Sequence, residues 1–221
     1  LDKPLGFDTS LEKKIALLRA SLAGQRASVF NFPKLSVKER GYWFQASNLS
    51  WKLEDQQLLC TGGIILNKGE VTGFAEKLSG DVGLEKVRLE GAPRVVILPA
   101  GISPITLEAR AFEVISATDL IIADGNPTIA WAEARVTADT LQYQQTKQQL
   151  EMAGNVVISY RDIQAWGEVA RYLTGENKII LQGNARAVQG DNKLNGNKVV
   201  VSLKDQTISV LGKGKVTITE Q

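Results

Sequence analysis

Gly154-Asn155-Val156-Val157-Ile158 opens an apolar run on a glycine, and sixteen residues before that glycine stands Ala138-x-x-Leu141-x-Tyr143, a small residue followed by two spaced apolar positions. The same pair recurs on both sides. Toward the N-terminus, Ala46-x-x-Leu49-x-Trp51 precedes Gly62, Ala75-x-x-Leu78 precedes Gly91, and Ala109-x-x-Phe112-x-Val114 precedes Gly125. Toward the C-terminus, Gly167-x-x-Ala170-x-Tyr172 precedes Gly183, and Gly196-x-x-Val199-x-Val201 precedes Gly212. Successive glycines are 29, 34, 29, 29 and 29 residues apart. A fixed period of this size is the signature of stacked structural units, none of which buries its apolar face alone.

From about residue 29 onward, Val, Ile, Leu, Thr and Tyr recur in short alternating runs. Turn-forming clusters divide them: Asn67-Lys68-Gly69, Ala123-Asp124-Gly125-Asn126, Gly175-Glu176-Asn177 and Gln189-Gly190-Asp191-Asn192. Alternation with period two between such clusters predicts strands joined by hairpins, hence an all-β chain of repeated antiparallel strands. In the fifth unit the expected strands are 168–172, 178–181 and 185–188. The recurring glycine suits a bulge that bends a strand at the same place in every unit; a ligand-approach site is the alternative.

Residues 10–26 are predicted to be helical, with Leu11, Ile15, Leu18 and Leu22 on one side and Glu12, Lys13, Lys14 and Arg19 on the other. The segment either packs on the body of the protein or links it to a membrane. The long interval carries five extra residues, all between Gly91 and Ala109, where Leu98-Pro99-Ala100-Gly101-Ile102-Ser103-Pro104 interrupts the strand pattern. This predicts a helical segment over 1–28 and β-repeats over 29–98 and 99–221. The two blocks are either separate or one continuous stack with an insertion.

The chain has 221 residues, 43% of them hydrophobic, enough for a sizeable core. A balance of 26 Lys+Arg against 24 Asp+Glu, with no basic block, argues against nucleic acid as the partner. There is no histidine, which removes the commonest metal ligand and the commonest base near neutral pH. The single cysteine, Cys60, excludes an intramolecular disulfide and suits a buried apolar position. No apolar run spans a bilayer and no signal-peptide pattern is present, but the chain opens on Leu1, so an upstream leader or anchor is expected to have been removed.

No catalytic constellation emerges. Asp119 and Asp124 mark the polar ends of a predicted strand, Leu120-Ile121-Ile122-Ala123. Gly212-Lys213-Gly214-Lys215 lacks the leading glycine and trailing hydroxyl residue of a phosphate-binding loop. Asn48-Leu49-Ser50 is a single match to a glycosylation acceptor. Trp51, Tyr143 and Tyr172 share one repeat phase, which points to core or lining positions; the cluster Tyr42-Trp43-Phe44 suits packing or a contact surface. The chain is expected to be non-enzymatic, with no metal and no cofactor.

Leu181-Gln182-Gly183-Asn184, Met152-Ala153-Gly154-Asn155-Val156-Val157-Ile158 and Asn192-Lys193-Leu194-Asn195-Gly196-Asn197-Lys198-Val199 resemble runs of the periplasmic lipopolysaccharide-transport family, the OstA-like proteins that include LptA and LptC. The likeness is strongest over 105–221. The N-terminal block is more like the LptC side, through Phe32-Pro33-Lys34-Leu35 and the stretch from Ala46 to Gly62. The resemblance implies a folded-over antiparallel sheet, a β-taco or β-jellyroll, with an apolar groove between its walls. It also implies a periplasmic location, with an inner-membrane anchor as one possibility for the missing upstream segment. The implied job is to carry the acyl chains of lipopolysaccharide as part of an inner-to-outer membrane bridge, joined end to end through terminal strands. Its implied partners are other bridge proteins or a second copy, and an inner-membrane transporter complex.

A sheet whose strands alternate apolar and polar residues has one dry face, and folding it over sets two dry faces against each other. The groove residues expected on this basis are Val156, Ile158, Ile179, Leu181, Val199, Val201, Ile208 and Val210. Unpaired edges are expected near Ser28 to Leu35, through Phe30, Phe32 and Leu35, and near Val216 and Ile218. Competing readings are a polysaccharide-binding β-solenoid and a closed scaffold that binds no lipid.

Overall fold

The computed structural model describes residues 28–39, 42–52, 56–81, 84–101 and 103–217, with side chains from Trp43 onward except those of 51–55. The helix expected over 10–26 and the edge residue Ile218 lie outside the described residues. The rest is β, in seventeen strands: β1 (Ser28–Glu39), β2 (Tyr42–Lys52), β3 (Gln57–Lys68), β4 (Val71–Asp81), β5 (Lys86–Glu90), β6 (Arg94–Ile97), β7 (Ile105–Glu108), β8 (Ala111–Ile115), β9 (Leu120–Asp124), β10 (Thr128–Trp131), β11 (Ala134–Thr137), β12 (Thr140–Gln144), β13 (Gln149–Tyr160), β14 (Ile163–Leu173), β15 (Lys178–Gln189), β16 (Asn192–Ser202) and β17 (Thr207–Thr217).

Every pairing among these strands is antiparallel. A solenoid coil that stacks equivalent strands in parallel is thereby ruled out. Strands β5 and β6 are two halves of one rung, both paired with β4, and β7/β8, β9/β10 and β11/β12 divide in the same way. Each long strand also has two halves, separated by a register shift: Thr61/Ile64 in β3, Ala153/Val156 in β13 and Gln182/Ala185 in β15. The sheet therefore folds along a line crossing every rung. A first wall holds β5, β8, β9, β12 and halves such as 149–153 and 178–182, and a second wall holds β6, β7, β10, β11 and halves such as 156–160 and 185–189.

The repeated glycines sit on this fold line, and all six have positive φ, from 74° at Gly183 to 87° at Gly125 and Gly212. The sixteen-residue spacing now has a cause. From the small residue the chain runs out along the first wall, turns and returns, so that each glycine from Gly62 to Gly183 faces the residue following its small partner. A Cβ on Gly154 would lie 2.9 Å from the Asp139 Cβ, and one on Gly183 would lie 2.7 Å from the Glu168 Cβ. A side chain here would combine left-handed strain with overlap.

The first-wall tips are themselves zipped together. Backbone N–H groups of Ser116, Gln145, Thr174 and Leu203 donate to the carbonyls of Glu85, Asp119, Gln148 and Asn177 at 2.9, 3.0, 3.2 and 3.1 Å. At the second-wall tips, two-residue turns are the rule, as at 69–70, 132–133, 161–162 and 190–191; the insertion 98–104 replaces one such turn. The ladder continues past it, Arg94 to Ile97 pairing with Glu108 to Ile105.

Candidate functional site

The space between the walls is the candidate site. Along the second wall, consecutive partners Phe44, Leu66, Gly73, Val95, Leu107, Ile129, Val136, Ile158, Ala165, Ala187, Leu194 and Val216 form one transverse row. Opposite it on the first wall runs Leu49, Cys60, Leu78, Leu89, Phe112, Ala123, Leu141, Met152, Ala170, Leu181, Val199 and Val210. Alternation puts one residue in two on the inside, and stacking turns these into continuous apolar files.

Of the eight expected groove residues, Val156 and Ile158 stand on the second wall and Ile179, Leu181, Val199, Val201, Ile208 and Val210 on the first. Val156, Ile158, Ile179, Leu181, Val199 and Val201 are buried, whereas Ile208 and Val210 on the last strand are half-buried. The eight are a sample of a much longer lining. Leu194, half-buried on β16, belongs with them, and its signal was the period itself: it stands 29 residues after Ala165, which stands 29 after Val136.

In the middle of the stack the walls touch. Met152, Leu181, Tyr143 and Tyr172 are fully buried, and the Trp131 ring stacks on Tyr172 at 4.7 Å from across the interior. A small cavity of about 20 Å³ lies among Leu66, Val71, Leu89, Val95, Val114 and Ile121, room for about one water molecule. Burial pushes the Tyr172 phenol up to about 12; burial first, then Glu70, raises that of Tyr143. Burial likewise pushes the Cys60 thiol up to about 12, so this cysteine is a core residue with little thiolate character.

Polar contacts close the rim where the tips of the two walls meet. Lys68 forms an ion pair with Asp119, the Tyr143 hydroxyl donates to the Glu70 carboxylate, and Gln145 Nε2 donates to the Lys68 carbonyl at 3.3 Å. Farther along, the Tyr160 hydroxyl donates to the Leu203 carbonyl at 3.2 Å. The second-wall tips around Lys68, Trp131 and Tyr160 thus each reach a first-wall residue farther along the chain, in keeping with the twist of a sheet. For the tip at 190–191 there is no such contact among the described residues.

Among the described residues the C-terminal end of the stack is open. Strand β17 pairs only with β16 among the described residues, Val210 and Ile208 are half-covered, and Val216 is 52% exposed. At the other end, among the described residues, β1 pairs only with β2, with a register shift between Asn31 and Leu35 that brackets Pro33. Phe30, Phe32 and Leu35 lie on this strand, but their side chains fall outside the described residues. Trp43 of the aromatic cluster is exposed at 39% while Phe44 is buried.

Antiparallel rungs bent at a common line, with two apolar walls facing inward, define a folded-over β-jellyroll. Residues 106–207 match the family model of the LptA/(LptD N-terminal domain) LPS transport protein. A solved structure was also matched, the crystal structure of LptH, the LptA homologous periplasmic component of the conserved lipopolysaccharide transport device from Pseudomonas aeruginosa. The match has a TM-score of 0.49 and 17% identity, and it covers 53% of this chain and 96% of that one. No curated protein matches the chain in sequence.

Proposed function

We propose that this protein is a non-enzymatic periplasmic carrier of lipopolysaccharide or a related acylated glycolipid. It shields acyl chains between its two walls and forms one section of a bridge from the inner to the outer membrane. The observation that carries this reading is the continuous apolar interior, uncovered at β17, in a chain whose residues 106–207 match a lipopolysaccharide-transport domain. Each CH₂ withdrawn from water contributes roughly 0.8 kcal/mol, so a chain of about a dozen carbons supplies on the order of 10 kcal/mol before ordering costs. Such binding needs length of apolar wall and no special residue.

Acyl chains enter most readily at the open end, beside Ile208, Val210 and Leu194, where little packing is displaced. Passage deeper, past Val156, Ile158, Ile179, Leu181, Val199 and Val201, requires the walls to part. Among the described residues, strands β1 and β17 pair on one side only, at opposite ends, so neighbours join head to tail. Phe30, Phe32 and Leu35 at one end, and Val216 and Ile218 at the other, are the proposed edge residues.

A closed scaffold is the second reading, favoured by the packed middle of the stack. Native mass spectrometry with lipopolysaccharide and with its acyl-free oligosaccharide separates the two. Retention of the acylated ligand alone supports the carrier, retention of neither selects the scaffold, and retention of the sugar alone overturns both. A photocrosslinker at Val210 should capture lipid more efficiently than one at Val156.

A further inference from the structure

The net charge of +2 conceals an uneven distribution: between Lys178 and Thr217 seven Lys and Arg residues face two aspartates, a net of +5. That stretch is β15, β16 and β17, the end of the stack at which the interior is uncovered. The rungs place Lys193 and Lys215 on the outer face of the second wall and Lys198 on the outer face of the first, alternating with the inward Leu194, Val216 and Val199. Lys213 stands at the bend beside Gly212. Among the described residues no ion pair engages Lys193, Lys198, Lys213 or Lys215. By contrast, carboxylates neutralise the basic side chains on the outer face of the first wall farther back. Arg110 Nη2 lies 2.9 Å and Arg88 Nη2 3.3 Å from Asp124, and Lys77 Nζ lies 2.8 Å from Glu90.

We infer that β17 receives a strand of net acidic character from a different protein. Three features of one edge agree on this occupant. The unpaired N–H and C=O groups of β17 ask for an extended backbone. The half-covered Ile208, Val210 and Leu194 and the exposed Val216 ask for apolar residues at alternate positions. The outward lysines ask for carboxylates at the intervening ones. A second copy of this chain answers the first demand and fails the last, because its β1 sequence carries Lys34 and Lys38 against Glu39. Self-stacking would set basic edge against basic edge, and this costs affinity at a sheet interface. The lysines therefore do two jobs: they keep identical copies apart and select the heterologous neighbour. This inference rests on the end-to-end joining proposed above and names the chemistry of the partner.

The test uses the full chain and two synthetic strand peptides, one alternating valine with glutamate and the other valine with lysine, followed by fluorescence anisotropy. The glutamate peptide should bind at least about tenfold more tightly at about 20 mM salt, with the gap closing near 0.5 M. N-methylation of alternate amides should abolish binding, since strand addition depends on the backbone. The double variant Lys193→Glu/Lys215→Glu, changed only at exposed outward positions, should reverse the preference while retaining lipopolysaccharide as before. Equal binding of both peptides, binding that survives N-methylation, or self-association in sedimentation that the double variant leaves unchanged would each overturn the inference. Loss of lipopolysaccharide by the double variant with the peptide preference intact would also overturn it, and would assign these lysines to a lipid headgroup. Peptide binding is read without lipid, so failure of the carrier reading shows separately, as wild-type protein that retains no lipopolysaccharide.

Discussion

Strands β13 to β15 carry the same pattern as the end of the stack formed by β17 and the second-wall half of β16, yet they meet opposite fates. In the first group Met152, Ile158, Ala170 and Leu181 are fully buried; in the second, Leu194, Ile208 and Val210 are half-covered and Val216 is exposed. Nothing in the residue types separates Leu181 from Leu194. What separates them is a further rung. A residue in the middle of the stack has a neighbour on both sides and a wall opposite, whereas Ile208, Val210 and Val216 have a described neighbour on one side only and Leu194 has a single rung beyond it. A repeat protein therefore carries a core in its middle and an uncovered apolar face at its end, built from one set of side chains.

That comparison can be broken by truncation within the two regions. Leu181→Ala should cost about 3 kcal/mol in denaturant unfolding, as a large-to-small change at a fully packed site, whereas Val210→Ala should cost about 1 kcal/mol or less. Equal costs would mean that β17 is covered in solution.

The fold line offers a second pair. Gly154→Ala meets both the left-handed backbone and the Asp139 Cβ, while nothing lies within 4 Å of a Cβ on Gly212. The first change should destabilise by about 2 kcal/mol and the second by about 1, the cost of left-handed backbone alone. Differential scanning calorimetry of the two variants checks the ranking. A Gly212→Ala change as damaging as Gly154→Ala would place another molecule against the end of the stack.

Alkaline titration sharpens the contrast for the interior aromatics. Burial holds the phenol of Tyr172 up to about 12 and raises that of Tyr143, above the unfolded value near 10. A group whose folded pKa is raised stabilises the fold fully below its unfolded pKa and loses that contribution as pH climbs toward the folded one. Stability should therefore hold up to about pH 10 and fall between there and about 12. Phenolate absorbance should rise together with unfolding, and Val210→Ala should leave the profile in place.

The smallest effect belongs to the rim. Lys68→Ala removes a partly buried ion pair with Asp119 and should cost about 0.5 kcal/mol, screened by salt. Its use is local: hydrogen exchange should quicken at the tips around Glu70 and Gln145 and stay unchanged at β15. Faster exchange throughout the stack would show that the rim contacts hold the walls together globally.

Much of this was legible in the chain. The six spaced glycines marked the fold line, the alternation from Gly154 to Ile158 assigned inside and outside, and the five-residue surplus located the one long second-wall turn. Proline content gave 98–104 the character of an interruption, but proline is a local signal, and pairing of β6 with β7 on either side restores the ladder. The eight groove residues were drawn only from the C-terminal units, where the motifs are most regular. The N-terminal lining, Leu66, Val95, Leu107 and Ile129, required the register of partners far apart in sequence. The rim contacts were invisible for the same reason: Tyr143 and Glu70 are joined only because the sheet folds and twists.

By itself the sequence determined the strands, the place at which each one bends and which residues face inward, because period two, turn chemistry and glycine act over a few residues. Only the tertiary structure decided which inward residues are sealed and which are open, because burial depends on the rung above and the wall opposite. It also set the basic stretch from Lys178 to Thr217 around the uncovered end, and charge acquires a partner only where the fold presents it.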